Sequence, residues 1–81
     1  MLTLYTSDLC PYCTQAKSLL TEMEISFEEI NILKNPTARQ YLKDNGHKTV
    51  PQIYVNGRLA IAGGFNGLAA LSKEEIKRLA S

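Results

Sequence analysis

The sequence predicts an α/β domain whose elements follow the order β-α-β-α-β-β-α. Three patterns carry that prediction. Apolar residues alternate with threonine across Leu2-Thr3-Leu4-Tyr5, helical spacing takes over at Ala16, Leu19, Leu20 and Met23, and Asn56-Gly57 separates two β-rich runs further on. A strand–helix–strand unit at the start makes a right-handed parallel crossover, and the later hairpin adds antiparallel strands on the other side. The expected sheet is therefore mixed.

Taken in order, Leu2 to Tyr5 forms the first strand and Thr6-Ser7-Asp8 a loop. Pro11 suits a first helical turn, where its missing N–H costs nothing, and opens a helix over roughly residues 11–23. Ile25, Phe27 and Ile30 mark a second strand with imperfect alternation. Asn35-Pro36 starts the next helix, Ala38, Tyr41 and Leu42 supply its apolar stripe, and Asn45-Gly46 ends it. Pro51 to Val55 and Arg58 to Ile61 flank Asn56-Gly57 as a hairpin. Gly63-Gly64 marks a tight bend, and Asn66 offers an N-cap for a short helix. Ser72-Lys73-Glu74-Glu75 has the form of a capping box leading into Ile76–Ala80.

Totals exclude several classes of function. The 81 residues leave room for one compact domain, and no repeat or linker divides them, so residues 1–81 read as one unit. A 44% hydrophobic share argues against disorder. Nine Lys and Arg against eight Asp and Glu give a formal charge of +1, which predicts no general attraction to nucleic acid or anionic membrane. Residues 1–9 do not read as a signal segment, and no apolar run approaches membrane-spanning length. Two cysteines are too few for the disulfide framework of a small secreted protein. The expected address is a reducing cytoplasm and the expected state a monomer, and there a C-x-x-C pair suggests redox work or a metal.

That pair is Cys10-Pro11-Tyr12-Cys13, set between a strand end and a helix start. A thiolate at a helix N-terminus faces unpaired N–H groups and the positive end of the dipole, which favours the anionic, nucleophilic form. Cys10 falls just outside the helix and Cys13 within its first turn. The exposed position makes Cys10 the nucleophile and Cys13 the resolving thiol, with Pro11 stiffening the turn between them. A zinc site needs about four ligands, and His47 is the only other soft ligand available, so no metal is expected within one chain. A zinc site shared by two chains, or two inert core cysteines, are the competing readings.

Cys-Pro-Tyr-Cys, then Thr49-Val50-Pro51, then Gly63-Gly64-Phe65-Asn66, in that order and spacing, resembles the glutaredoxin family. The resemblance runs from Leu2 to about Ala80. It implies a thioredoxin-like fold, a four-stranded mixed sheet flanked by helices. It also implies glutathione-dependent reduction of protein disulfides and glutathione mixed disulfides, with glutathione as reductant and no tightly bound cofactor.

The resemblance further implies site residues. Pro51 would be cis and lie against the cysteines, with the Val50 backbone facing an extended substrate; without the resemblance, Pro51 reads as a plain strand-opening proline. Tyr12 would border the glutathione groove, Thr49, Val50 and Pro51 would pair with the tripeptide, and Gly64, Phe65 and Asn66 would receive its γ-glutamyl carboxylate. Phe65 reads equally well as a core aromatic. Lys17 and His47 read as surface charge and loop residue, or as groups that tune the site.

Two positions depart from the family pattern. Many members carry an acidic residue where this chain has Gly67, and a cation a few residues before the first cysteine, where it has Ser7-Asp8-Leu9. Arg39, Lys43 and Lys48 are the cations available to compensate. Glutathione binding is therefore expected to be weaker or differently arranged than in a typical member. One alternative is a glutaredoxin-like redoxin reduced by thioredoxin reductase and donating electrons to ribonucleotide reductase. Another is a carrier of a [2Fe–2S] cluster held between two chains.

Overall fold

The computed structural model describes residues 1–80. Along them run β1 (Leu2–Thr6), α1 (Pro11–Glu22), β2 (Phe27–Asn31), α2 (Pro36–Asp44), β3 (Gln52–Val55), β4 (Arg58–Ile61), α3 (Gly64–Ala69) and α4 (Lys73–Ala80). The sheet order is β2-β1-β3-β4. β1 and β2 pair in parallel from Leu2↔Phe27 to Thr6↔Asn31, while β1–β3 and β3–β4 are antiparallel. A mixed sheet with a parallel crossover on one side and a hairpin on the other is what the apolar periodicity predicts.

Local chemistry sets most of the boundaries. Asn56 and Gly57 both have positive φ, 51° and 79°, which matches the hairpin turn to the twist of its strands. Asn35 caps α2 by accepting from the Ala38 N–H at 3.0 Å. Ser72 and Glu75 form the reciprocal capping box of α4, at 3.2 and 3.1 Å.

The sequence places the end of α1 near residue 23, where it falls, but gives no sign of the turn that makes it. Glu24 adopts φ 58°, its N–H bonds to the Thr21 carbonyl, and the Ile25 N–H bonds to the Leu20 carbonyl. This is a Schellman ending with glutamate where glycine is usual. Ile25 thereby leaves the extended segment expected of it, and β2 begins at Phe27; Ile25 buries instead beside Leu20 in the core.

A second correction concerns Asn66. The chain turns into α3 earlier, at Gly63 (φ 88°), which stands at the N-cap with no side-chain bond, so Asn66 lies inside the helix and caps nothing. A left-handed glycine makes the turn before Asn66 is reached. Two helices, α3 and α4, thus close the described chain.

Leu2, Leu4, Leu20, Ile53, Leu68 and Ile76 are fully buried in one cluster that joins β1 and β3 to α1, α3 and α4. Burying each such side chain contributes about 1.5–3 kcal/mol. α2 covers the opposite face, where Tyr41 packs against Tyr5 and Tyr54 with ring centroids 6.1 and 5.7 Å apart. Tyr5 of β1 pairs with Gln52 of β3. The loop after β1 and the loop before β3 consequently leave the two central strands at the same end, and the candidate site is built there.

Candidate active site

Cys10 occupies the N-cap position of α1 with extended backbone (φ −115°, ψ 105°), and its sulfur accepts the Cys13 N–H at 3.2 Å. The sulfur thus plays the capping part that serine or aspartate usually plays. Across the site, the Cys10 thiol donates to the Val50 carbonyl at 3.2 Å. The two loops at this end of the sheet therefore meet at this sulfur. Both cysteines are free thiols, Cys10 partly exposed and Cys13 only 1% exposed. Burial, reinforced by the hydrogen bond with Cys10, pushes the Cys13 thiol up to about 12. The sequence expectation of one accessible and one shielded sulfur matches this geometry.

The Val50–Pro51 peptide is cis. The Gln52 side chain pins that bend by donating to the Thr49 carbonyl at 2.9 Å, and it is buried while doing so. Sequence reasoning missed Gln52; a polar residue opening an otherwise apolar strand was the available signal.

A cleft of about 610 Å³ is lined by Tyr12, between the two cysteines in sequence, and by Val50, whose carbonyl accepts from Cys10. It brings together Tyr12, Thr49, Val50, Pro51, Gly64, Phe65 and Asn66, all seven groove residues that the resemblance implied. Phe65 stands in two settings at once: it packs against the core and stacks on Tyr12 with centroids 6.2 Å apart and planes 28° apart. Gly64 has φ 58°, and a Cβ there would stand 3.2 Å from the Pro51 carbonyl oxygen, so a side chain would be strained in the backbone and tight against the bend.

Gly67 is more tightly constrained. A Cβ at this position would fall on the Ala62 carbonyl oxygen and also press on the Ile61 side chain. The missing acidic residue is therefore a packing requirement of this chain, since the backbone of residue 62 fills the space a side chain would need.

The other flagged residues are engaged elsewhere. Asp8 accepts from the Asn31 side chain at 2.6 Å. Lys17 pairs with Glu29 at 3.1 Å, and Glu29 also accepts from the Thr6 hydroxyl at 2.7 Å; the Thr6 bond first, then Lys17, holds the Glu29 carboxyl below its usual range. Lys17 still lowers the Cys13 thiol slightly, as the smallest of the influences on it. His47 shares a 2.6 Å hydrogen bond with the Tyr54 hydroxyl and lines the cleft. Among the described residues, no three His, Cys, Asp or Glu side chains gather as a metal site.

The family model for glutaredoxin matches residues 2–60. The chain belongs to the glutaredoxin family. It is 41% identical over 69 residues to glutaredoxin 3 of Escherichia coli K12, covering 84% of this chain and 81% of that one. It is 40% identical over 73 residues to glutaredoxin 1 of Rickettsia conorii, covering 86% and 70%. The solution structure of a glutaredoxin from Brucella melitensis superposes with a TM-score of 0.75 at 33% identity, over 98% of this chain and 86% of that one. A glutaredoxin is generally a thiol oxidoreductase, and two neighbouring thiols at a cleft are the equipment that chemistry needs. No helix among the described residues is long and apolar enough to cross a membrane.

Proposed function

We propose that this glutaredoxin is a glutathione-dependent thiol–disulfide oxidoreductase of the reducing cytoplasm, acting on protein disulfides and glutathione mixed disulfides. The observation that carries the reading is the asymmetry of the pair: a partly exposed Cys10 sulfur, bonded to the Val50 carbonyl that lines the cleft, and a buried, protonated Cys13.

Cys10 thiolate attacks one sulfur of the substrate disulfide. A new S–S bond forms to Cys10, the substrate S–S bond breaks, and the departing thiolate takes a proton. Cys13 then loses its proton and attacks the Cys10 sulfur, expelling the second substrate thiol and leaving a Cys10–Cys13 disulfide. Two glutathione molecules restore the dithiol: the first forms a mixed disulfide on Cys10, and the second attacks it to give oxidised glutathione. When the substrate is itself a glutathione mixed disulfide, Cys10 suffices.

Tyr12 and Phe65 form one wall for the tripeptide, the Thr49–Pro51 segment offers its backbone for strand-like pairing, and Gly64 to Asn66 offer the backbone groups at the far end. The Val50 carbonyl is held by the Cys10 proton in the dithiol form. Once Cys10 is a thiolate or a mixed disulfide, that carbonyl is free for substrate.

A second reading keeps the same chemistry and changes the electron donor to thioredoxin reductase. Gly67 favours it, because the packed Ala62 carbonyl leaves no place for an anion opposite the glutathione ammonium group. NADPH-coupled turnover separates the two. Fast reduction with glutathione and glutathione reductase supports the first reading, and turnover with thioredoxin reductase alone replaces it with the second.

A further inference from the structure

Residues 47–51 join α2 to β3 and belong to no helix or strand. A segment outside any ladder is held only by what its ends and side chains bond to. Its C-terminal end is fixed by the cis bend and by Gln52 on the Thr49 carbonyl. Its N-terminal end is fixed at His47. The His47 backbone N–H donates to the Leu42 carbonyl at 2.9 Å, which ties it to α2. Its ring shares the 2.6 Å hydrogen bond with the Tyr54 hydroxyl and meets the Tyr54 ring edge-on, with planes at 81°. Tyr54 is an immobile partner: it lies in β3, is 3% exposed, and packs edge-on against both Tyr5 and Tyr41. His47 lines the cleft, and Tyr54 does not.

We propose that His47 is a positioning residue: by bonding to Tyr54 it holds the Lys48–Val50 backbone in place before substrate arrives. The inference rests on the redox reading above, in which that backbone pairs with a glutathione-bearing disulfide. Without the His47 anchor, the segment is left to swing about the bend, and each binding event must first order it. Imidazole suits the task because it is rigid, so little freedom is lost when the bond forms. Tyr54 then acts on the cleft only through His47.

Steady-state turnover of a glutathionylated peptide, at fixed reduced glutathione, tests the assignment in His47→Ala, Tyr54→Phe and the double variant. Each single variant should raise KM for the peptide about fivefold and leave kcat unchanged, and retained kcat also shows that the protein folds. The double variant should be no worse than either single one, since both remove the same bond. His47→Gln, whose amide reaches the place of Nε2, should recover most of the loss.

A normal KM in Tyr54→Phe overturns the proposal, even if His47→Ala binds poorly, because His47 then serves by direct contact. Additive losses in the double variant, or no recovery in His47→Gln, overturn it too. Failure of the wild-type protein to turn over the peptide overturns the redox reading instead. In that event, backbone amide relaxation of residues 48–50 still decides the positioning role: loss of order in Tyr54→Phe relative to wild type sustains it, and equal order refutes it.

Discussion

The Cys10 thiol donates to the Val50 carbonyl at 3.2 Å while its sulfur accepts the Cys13 N–H at the same distance. One sulfur therefore ties the start of α1 to the bend that enters β3, and the bend and the helix keep their relative position through the atom that reacts. Substrate binding and cysteine chemistry are coupled at that atom, because a change in its protonation or bonding releases the Val50 carbonyl.

The roles of the two sulfurs separate by substitution. Cys10→Ser should abolish reduction of every disulfide substrate. Cys13→Ser should abolish reduction of protein disulfides and spare removal of glutathione from a mixed disulfide. Parallel assays with a protein disulfide and a glutathionylated peptide check this, and equal loss of both activities in Cys13→Ser would reverse the assignment.

Cys13 should also shape the alkaline limb of stability. Its thiol is raised from 9.0 to about 12, chiefly by burial. The folded protein keeps a proton that the unfolded chain releases, so this stabilisation is complete below about pH 9 and is lost as pH rises toward about 12. Urea unfolding across that range should show a steep decline in the reduced protein and a shallower one in Cys13→Ala. At neutral pH, alkylation should label Cys10 well before Cys13.

Gly67→Asp would place an acidic residue where many glutaredoxins carry one. The packing of Ala62 predicts that it will not improve the KM for glutathione and will cost about 1–3 kcal/mol or more of stability. Gly67→Ala should show most of the same cost, since the Cβ alone meets the Ala62 carbonyl. Chemical denaturation of both variants with a glutathione titration checks the point; a stable Gly67→Asp protein with a lower KM would contradict it.

Glu24→Gly should stabilise the protein by about 0.5–1 kcal/mol. Glu24 sits at φ 58°, a conformation that glycine adopts without steric cost, and its side chain makes no hydrogen bond or salt bridge among the described residues. Thermal unfolding of the variant against the parent reads the difference.

Features written in local chemistry were legible from the sequence: the Asn35 cap, the Ser72–Glu75 box, the Asn56-Gly57 turn, and the cysteine pair astride a strand end and a helix start. Features that need two distant segments were not. Nothing near Gly67 in sequence reveals that residue 62 turns its carbonyl into the space of a side chain. Nothing near His47 reveals that it meets the Tyr54 hydroxyl, because the meeting depends on how α2 lies against β3. The Gln52 pin on the Thr49 carbonyl is of the same kind. Glu24 is a different case: its left-handed turn is local, but glutamate is not the residue that signals one.

The most direct test of the central claim is intact-mass analysis of Cys13→Ser after exposure to oxidised glutathione, followed by peptide mapping. One glutathione per chain, attached at Cys10 and removed by excess reduced glutathione, is the predicted result. A chain that stays unmodified, or one modified away from Cys10, would contradict it.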